Sequence, residues 1–242
     1  MLIINADDLG KDKLTTENIL ACYEKGSITS ASAMVFMADS ERSADQALET
    51  KLEAGLHLNF SLQFSGLANW TKLNAYQQCI ASFLGRNKYC FLLYNPLLKK
   101  HFDYVYKAQY EEYVRLYNRI PTHIDGHEHM HLCMNIMIDK IIPKGAKVRR
   151  NFFFTSAEKD PFNRLYRRIV DAWLTRRYDS TDFFFDISPI RSRRLERIIN
   201  LAKISNVELM VHPERPAEYT HLMSDEYLEA ISGIEKCTYE TL

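Results

Sequence analysis

Short β-type runs alternate with helical patterns along most of the chain, and this alternation restricts the fold more than any other feature of the sequence. Leu2 to Ala6 reads as a buried strand. A helix follows near Thr15 to Lys25, stopping at Gly26, then a strand near Ser32 to Met37, a helix near Ser40 to Glu49 and a strand near Ala54 to Phe60. The order is βαβαβ. It resumes with a strand at Thr122 to Asp125, a helix near Leu132 to Ile142 and a strand at Ala146 to Arg149. Later strands are predicted at Asp182 to Ile187, Glu208 to Val211 and Ile234 to Thr238, with helices near Asn163 to Arg177, Ser192 to Ile204 and Asp225 to Ile231. Repeated βα units imply a parallel sheet covered by helices, either doubly wound or closed as a barrel of seven or eight strands.

The placement of polar residues favours the barrel. Asp7 and Asp8 follow the first strand, His57 and Asn59 the third, Asp125 and His127 the fourth, and His212 a late one. Groups at the carboxyl ends of different barrel strands meet at one mouth. No internal repeat, low-complexity tract or linker is visible, so residues 1–242 read as one domain. Residues 66–119 interrupt the rhythm with a mainly helical, aromatic excursion that includes Trp70, Phe83, Tyr89, Phe91, Tyr94, Tyr104, Tyr106 and Tyr110. Its rings suit core packing, a homodimer contact or the faces of sugars.

Composition excludes several classes of partner. Hydrophobic residues make up 46% and charged ones 26%, a globular balance, and 31 Lys and Arg against 31 Asp and Glu leave no net field for nucleic acid or an anionic membrane. Five cysteines without a C-x-x-C pair fit reduced thiols in a cytoplasm. No stretch approaches 18 apolar residues, and the opening MLIINADDLG, lacking a basic region or cleavage site, reads as the mature start.

Half of the eight histidines fall within the run His123-Ile-Asp125-Gly-His127-Glu-His129-Met-His131, where an imidazole or carboxylate recurs at every second position. In an extended backbone that spacing aims up to five ligand-type groups one way, as a divalent cation needs. Two of the four histidines are expected as ligands, the others as groups that orient neighbours or start the next helix. Adjacent carboxylates at Asp7 and Asp8 would face opposite ways in a regular strand. A turn there would let one bind metal while the other meets substrate; the bland alternative is a helix N-cap. His57 and Asn59 share a face, and Pro213 stops the strand that ends at His212.

These segments, in this order, resemble the YdjC-like carbohydrate deacetylase family, whose best-known members are chitooligosaccharide deacetylases. The matching residues are Asn5-Ala-Asp7-Asp8-Leu9-Gly10, Gly26-Ser-Ile-Thr29-Ser30, Gly55-Leu-His57-Leu-Asn59, Pro121 through His131, and Met210-Val-His212-Pro213. The pattern departs at Leu9, where Phe is usual, and at Glu214, where Gly is common. The resemblance implies a distorted (β/α) barrel of the glycoside hydrolase/deacetylase type. It also implies metal ligation by Asp8, His57 and His127, with Asp7 as general base and His212 as general acid. Asn59, Asp125 and His129 are expected to support ligands or meet substrate, and Arg150 either to meet substrate or to form an ordinary surface salt bridge.

The activity so implied is removal of an acetyl group from an N-acetylated sugar or short oligosaccharide, with one divalent ion. Two imidazoles suit zinc or cobalt, with manganese also admissible; magnesium, often associated with the family, matches two nitrogens poorly. The partner is then a small acetylated carbohydrate. Two other readings share the ligand set, a non-haem metal oxygenase and a non-catalytic, metal-retaining carbohydrate-binding barrel. An uncoordinated base at Asp7 favours catalysis.

Overall fold

The computed structural model describes residues 1–67, 71–154 and 161–242; Trp70 of the predicted aromatic excursion lies outside the described residues. The chain is α/β. Its elements run β1 (Leu2–Leu9), α1 (Lys13–Glu24), β2 (Ser30–Ala33), α2 (Ser40–Thr50), β3 (Glu53–Leu58), α3 (Lys72–Leu84), α4 (Lys99–Tyr117), β4 (Ile124–Gly126), α5 (Met134–Asp139), α6 (Pro161–Leu174), β5 (Phe183–Asp186), α7 (Ser192–Ala202), β6 (Val207–Val211), α8 (Pro216–Leu222) and α9 (Asp225–Ser232), with short 3-10 turns between some of them. The strands are ordered β4-β3-β2-β1-β6-β5. The β1–β6, β3–β4 and β5–β6 pairs are parallel. Every residue of β1, β3 and β6 is buried, as parallel strands covered on both faces require.

Six strands are present among the described residues where the sequence predicts seven or eight. The two remaining predicted strands, Ala146 to Arg149 and Ile234 to Thr238, take part in single parallel bridges, Lys147 to Asp179 and Leu2 to Lys236. The partner of the first is the polar segment Asp179-Ser-Thr-Asp182, whose side chains favour turns over a continued ladder. Other boundaries move for local reasons. The second strand ends at Ala33 rather than Met37, and Phe36 has φ +61°, outside the strand region. Helix α5 is shorter than predicted, because a 3-10 turn occupies His127–Leu132 and Lys140 caps the helix in the left-handed conformation.

The residues group into two compact units. The first comprises Met1–Asp7, Glu17–Ala31 and Lys144–Leu242, and the second Asp8–Thr16 and Ser32–Pro143. In the second unit the predicted excursion supplies α3 and α4. Helix α4 grips β3 at both ends. At the far end the buried Gln109 amide accepts from the Asn59 backbone N–H at 2.7 Å and donates to the Asn59 carbonyl at 3.2 Å. One helical turn on, the Tyr113 hydroxyl donates to the Ala54 carbonyl at 2.6 Å. Burial of Tyr113 raises its phenol pKa far above the ordinary value, so it stays a donor. The strand that carries His57 is thereby held on either side of that residue. In the first unit the core lies around β5 and β6, where Leu209, Val211, Phe184 and Phe185 are buried. No helix among the described residues is long and apolar enough to cross a membrane.

Candidate functional site

Asp8 departs from the conformation of its strand. Its φ is +73°, in the left-handed region that a non-glycine residue enters at a cost of about 1–3 kcal/mol. The departure re-aims the carboxylate out of the strand's alternation. The next turn closes with Lys11 N–H donating to the Asp8 carbonyl at 3.1 Å. Gly10 (φ +84°) completes the corner, because a Cβ there would lie 2.6 Å from the Ser43 hydroxyl. Neither Asp7 nor Asp8 caps the following helix. That role falls to Asp12, whose carboxylate accepts from Thr15 N–H at 2.9 Å.

Within the second unit Asp8 meets two histidines. Asp8 Oδ1 lies 2.9 Å from His127 Nδ1 and 3.3 Å from His57 Nε2. The three residues can each offer one ligand atom, all within 4.8 Å of one another. Burial alone would raise the Asp8 carboxyl, but hydrogen bonds and charge from His127 and His57 hold it well below the usual carboxylate range. Asp125 Oδ1 lies 2.8 Å from His57 Nδ1, which leaves His57 Nε2 directed at Asp8. One carboxylate and two imidazoles form an open three-donor set suited to zinc, cobalt or iron. The residues fit a divalent ion.

The histidine-rich run is extended only as far as Gly126. Glu128 and His129 follow in the left-handed conformation (φ +53° and +58°), so the predicted two-residue alternation ends there and five groups do not share a face. His129 lies against the His131 ring, 6.3 Å between centroids, and His131 is buried. Asn59 is buried and forms a loop clamp, accepting from Leu62 N–H at 2.8 Å and donating to the Leu62 carbonyl at 2.7 Å.

Two further clusters lie in the first unit. Asp7 is gripped by Arg149, whose Nη1 and Nη2 each donate to one carboxylate oxygen at 2.7 Å, and Asn5 Nδ2 donates to Asp7 Oδ1 at 3.0 Å. Arg149 is fully buried and also donates from Nε to Glu208 at 2.8 Å, while Tyr239 donates its hydroxyl to the other Glu208 oxygen. The second cluster is Asp186, His212 and Glu218. Glu218 accepts from His212 N–H at 2.7 Å, Ser188 Oγ at 2.7 Å and Arg215 Nη1 at 2.9 Å. Burial raises the Asp186 carboxyl, against the lowering effects of Ser188 N–H, His212 and Arg215.

Arg150 pairs with Asp171 at 3.2 Å, the salt bridge that the sequence allowed beside a substrate contact, and donates to the carbonyls of Thr181 and Asp182. Its neighbour Arg149 is the buried one. Sequence reasoning missed Arg149, Glu208, Asp186 and Glu218. A signal existed for Glu208, a carboxylate inside the apolar strand Val207-Glu-Leu-Met-Val211, where burial demands a partner.

The family model described as YdjC-like protein matches residues 1–237. The chain belongs to the YdjC-like family. Among curated relatives, a carbohydrate deacetylase from Danio rerio is 28% identical over 139 residues, covering 56% of this chain and 43% of the relative. A chitooligosaccharide deacetylase from Yersinia pestis (strain Pestoides F) is 27% identical over 145 residues, covering 56% and 52%. The matches span about half the length of these relatives. Among solved structures, a protein from Enterococcus faecalis V583 with a suggested role in cellobiose-phosphate cleavage superposes with a TM-score of 0.70 at 18% identity, covering 99% of this chain and 97% of that one. That likeness concerns the fold alone. It places this YdjC-like chain in a whole-length α/β architecture.

Proposed function

We propose that this YdjC-like protein is a metal-dependent hydrolase that removes an acetyl group from an N-acetylated sugar or short oligosaccharide. The observation that carries the reading is the convergence of Asp8, His57 and His127, each able to offer one ligand atom within 4.8 Å of the others, and Asp7 precedes Asp8 in the sequence without belonging to that set. The names of the deacetylase relatives supply the substrate class. A divalent ion held by the three residues would acidify a water and polarise the acetyl carbonyl.

Asp7 is the general base. Arg149 holds both of its oxygens, which fixes the plane of the carboxylate that would take a proton from the attacking water. An amine leaves poorly unless protonated, and His212 is the donor. Its Nδ1 is buried, 3.8 Å from Glu218, so the transferred proton is carried on Nε2. Asp186 and Glu218 of the same unit each bring a carboxylate oxygen within 4.8 Å of that imidazole. We also place the protein in the cytoplasm, in keeping with five cysteines that are all free thiols.

The test is acetate release from N-acetylglucosamine oligomers by metal-stripped protein reloaded with zinc, cobalt, manganese or magnesium. Asp7→Asn and His212→Ala are run alongside. Release that requires metal and falls at least about 100-fold in either variant, with metal still bound, supports the assignment. Stoichiometric metal binding without release from any acetylated sugar would overturn it.

A further inference from the structure

His123 opens the histidine-rich run yet lies outside the proposed ligand set, and its ring is almost wholly buried. Its Nε2 lies 3.0 Å from the Ser32 hydroxyl on β2. Ser32 in turn donates to Asp125 Oδ2 at 2.7 Å, and Asp125 Oδ1 meets His57 Nδ1 at 2.8 Å. Four buried side chains thus run in series toward the nitrogen that faces Asp8.

We propose that Ser32 and His123 are positioning residues that set the metal affinity of the Asp8–His57–His127 site by fixing the orientation and tautomer of His57. The proposal rests on the metal-site reading above.

The direction of the series follows from counting hydrogens. Ser32 has one hydroxyl hydrogen, and it goes to the carboxylate, which can only accept. The Ser32 oxygen then accepts from His123, so His123 carries a proton on Nε2. With Oδ2 pinned by Ser32, Asp125 presents Oδ1 to His57 and keeps a proton on His57 Nδ1. In that tautomer His57 Nε2 carries no proton and can offer its lone pair to an ion in place of the contact with Asp8, the form a metal requires. The fold makes room for this arrangement at Gly55 of β3. A Cβ there would lie 2.3 Å from the His123 ring, so only glycine lets the imidazole reach Ser32.

Affinity for zinc and cobalt is measured by chelator competition on the full chain, well below the melting temperature of each metal-free variant, together with the visible spectrum of the cobalt form. Ser32→Ala is expected to weaken binding about 10-fold or more, the usual effect of losing a group that orients a ligand. His123→Leu should do the same. His123→Gln, whose amide can still donate to Ser32, should stay within about threefold of the unsubstituted protein. The cobalt spectrum should change in Ser32→Ala and persist in His123→Gln. A merely structural role would lower the melting temperature and leave affinity and spectrum alone. Unchanged affinity in Ser32→Ala and His123→Leu overturns the proposal while sparing the metal site. Failure of the unsubstituted protein to bind one ion overturns both.

Discussion

A fully buried arginine between two carboxylates, as Arg149 stands between Asp7 and Glu208, cannot be removed without leaving charge in the interior. Arg149→Met is therefore expected to cost about 3–5 kcal/mol, read from its urea midpoint. Near-native stability would show that the two carboxylates find other partners. Asp186 makes a prediction of opposite electrostatic character. Burial raises its carboxyl on folding from 3.8, so the folded state holds the proton more tightly than the unfolded chain. That contribution is complete below the unfolded value and is lost as pH rises through the folded one. Asp186→Asn should accordingly flatten the stability profile above about pH 4, measured as urea midpoints at successive pH values. An unchanged profile would remove Asp186 from the account. Burial pushes Cys133 up to about 12 and Cys22 up to about 11, while Cys79 is exposed. Iodoacetamide at neutral pH should label Cys79 first and leave Cys22 and Cys133 until the protein unfolds, as read by peptide mass spectrometry.

At the scale of elements, α4 and β3 form a working pair. Gln109→Ala strips the Asn59 backbone N–H and carbonyl of a buried partner, and a loss of about 1–3 kcal/mol in a denaturation midpoint is expected. An unaffected midpoint would mean that β3 needs no such clamp. The strands themselves were legible because apolar runs of strand length leave little choice. The residues that bend them were not. Asp8, Glu128 and His129 all adopt left-handed φ without being glycine, a conformation that no side-chain pattern announces. The bend at Asp8 was inferable only from the improbability of two adjacent carboxylates on a buried strand. The bends at Glu128 and His129 undo the regular spacing of the histidine run, so periodicity located His127, which meets Asp8, while overstating how many neighbours join it. Asn59 shares a face with His57 in sequence terms, yet its amide turns back to Leu62. Of the pair Arg149 and Arg150, strand alternation says that one faces inward but not which one.

For the whole molecule, the α/β class and the parallel order followed from the alternation of elements, whereas the strand count did not. Ala146 to Arg149 and Ile234 to Thr238 have strand-like composition but form single bridges, since a ladder depends on the partner segment as much as on the strand. A bound ion belongs to this scale too, because its affinity is added to the stability of the chain. At a free concentration 100 times the dissociation constant, one ion stabilises the native state by about 2.7 kcal/mol. Chelation should lower the melting temperature of the unsubstituted protein and leave that of Asp8→Asn unmoved, and an equal response in both would place the ion elsewhere. The most direct measurement is acetate release from N-acetylglucosamine oligomers while metal-stripped protein is titrated with zinc. The account predicts no release without metal and a rate that saturates at one ion per chain. Release by the stripped protein, or none with one ion bound, would contradict it.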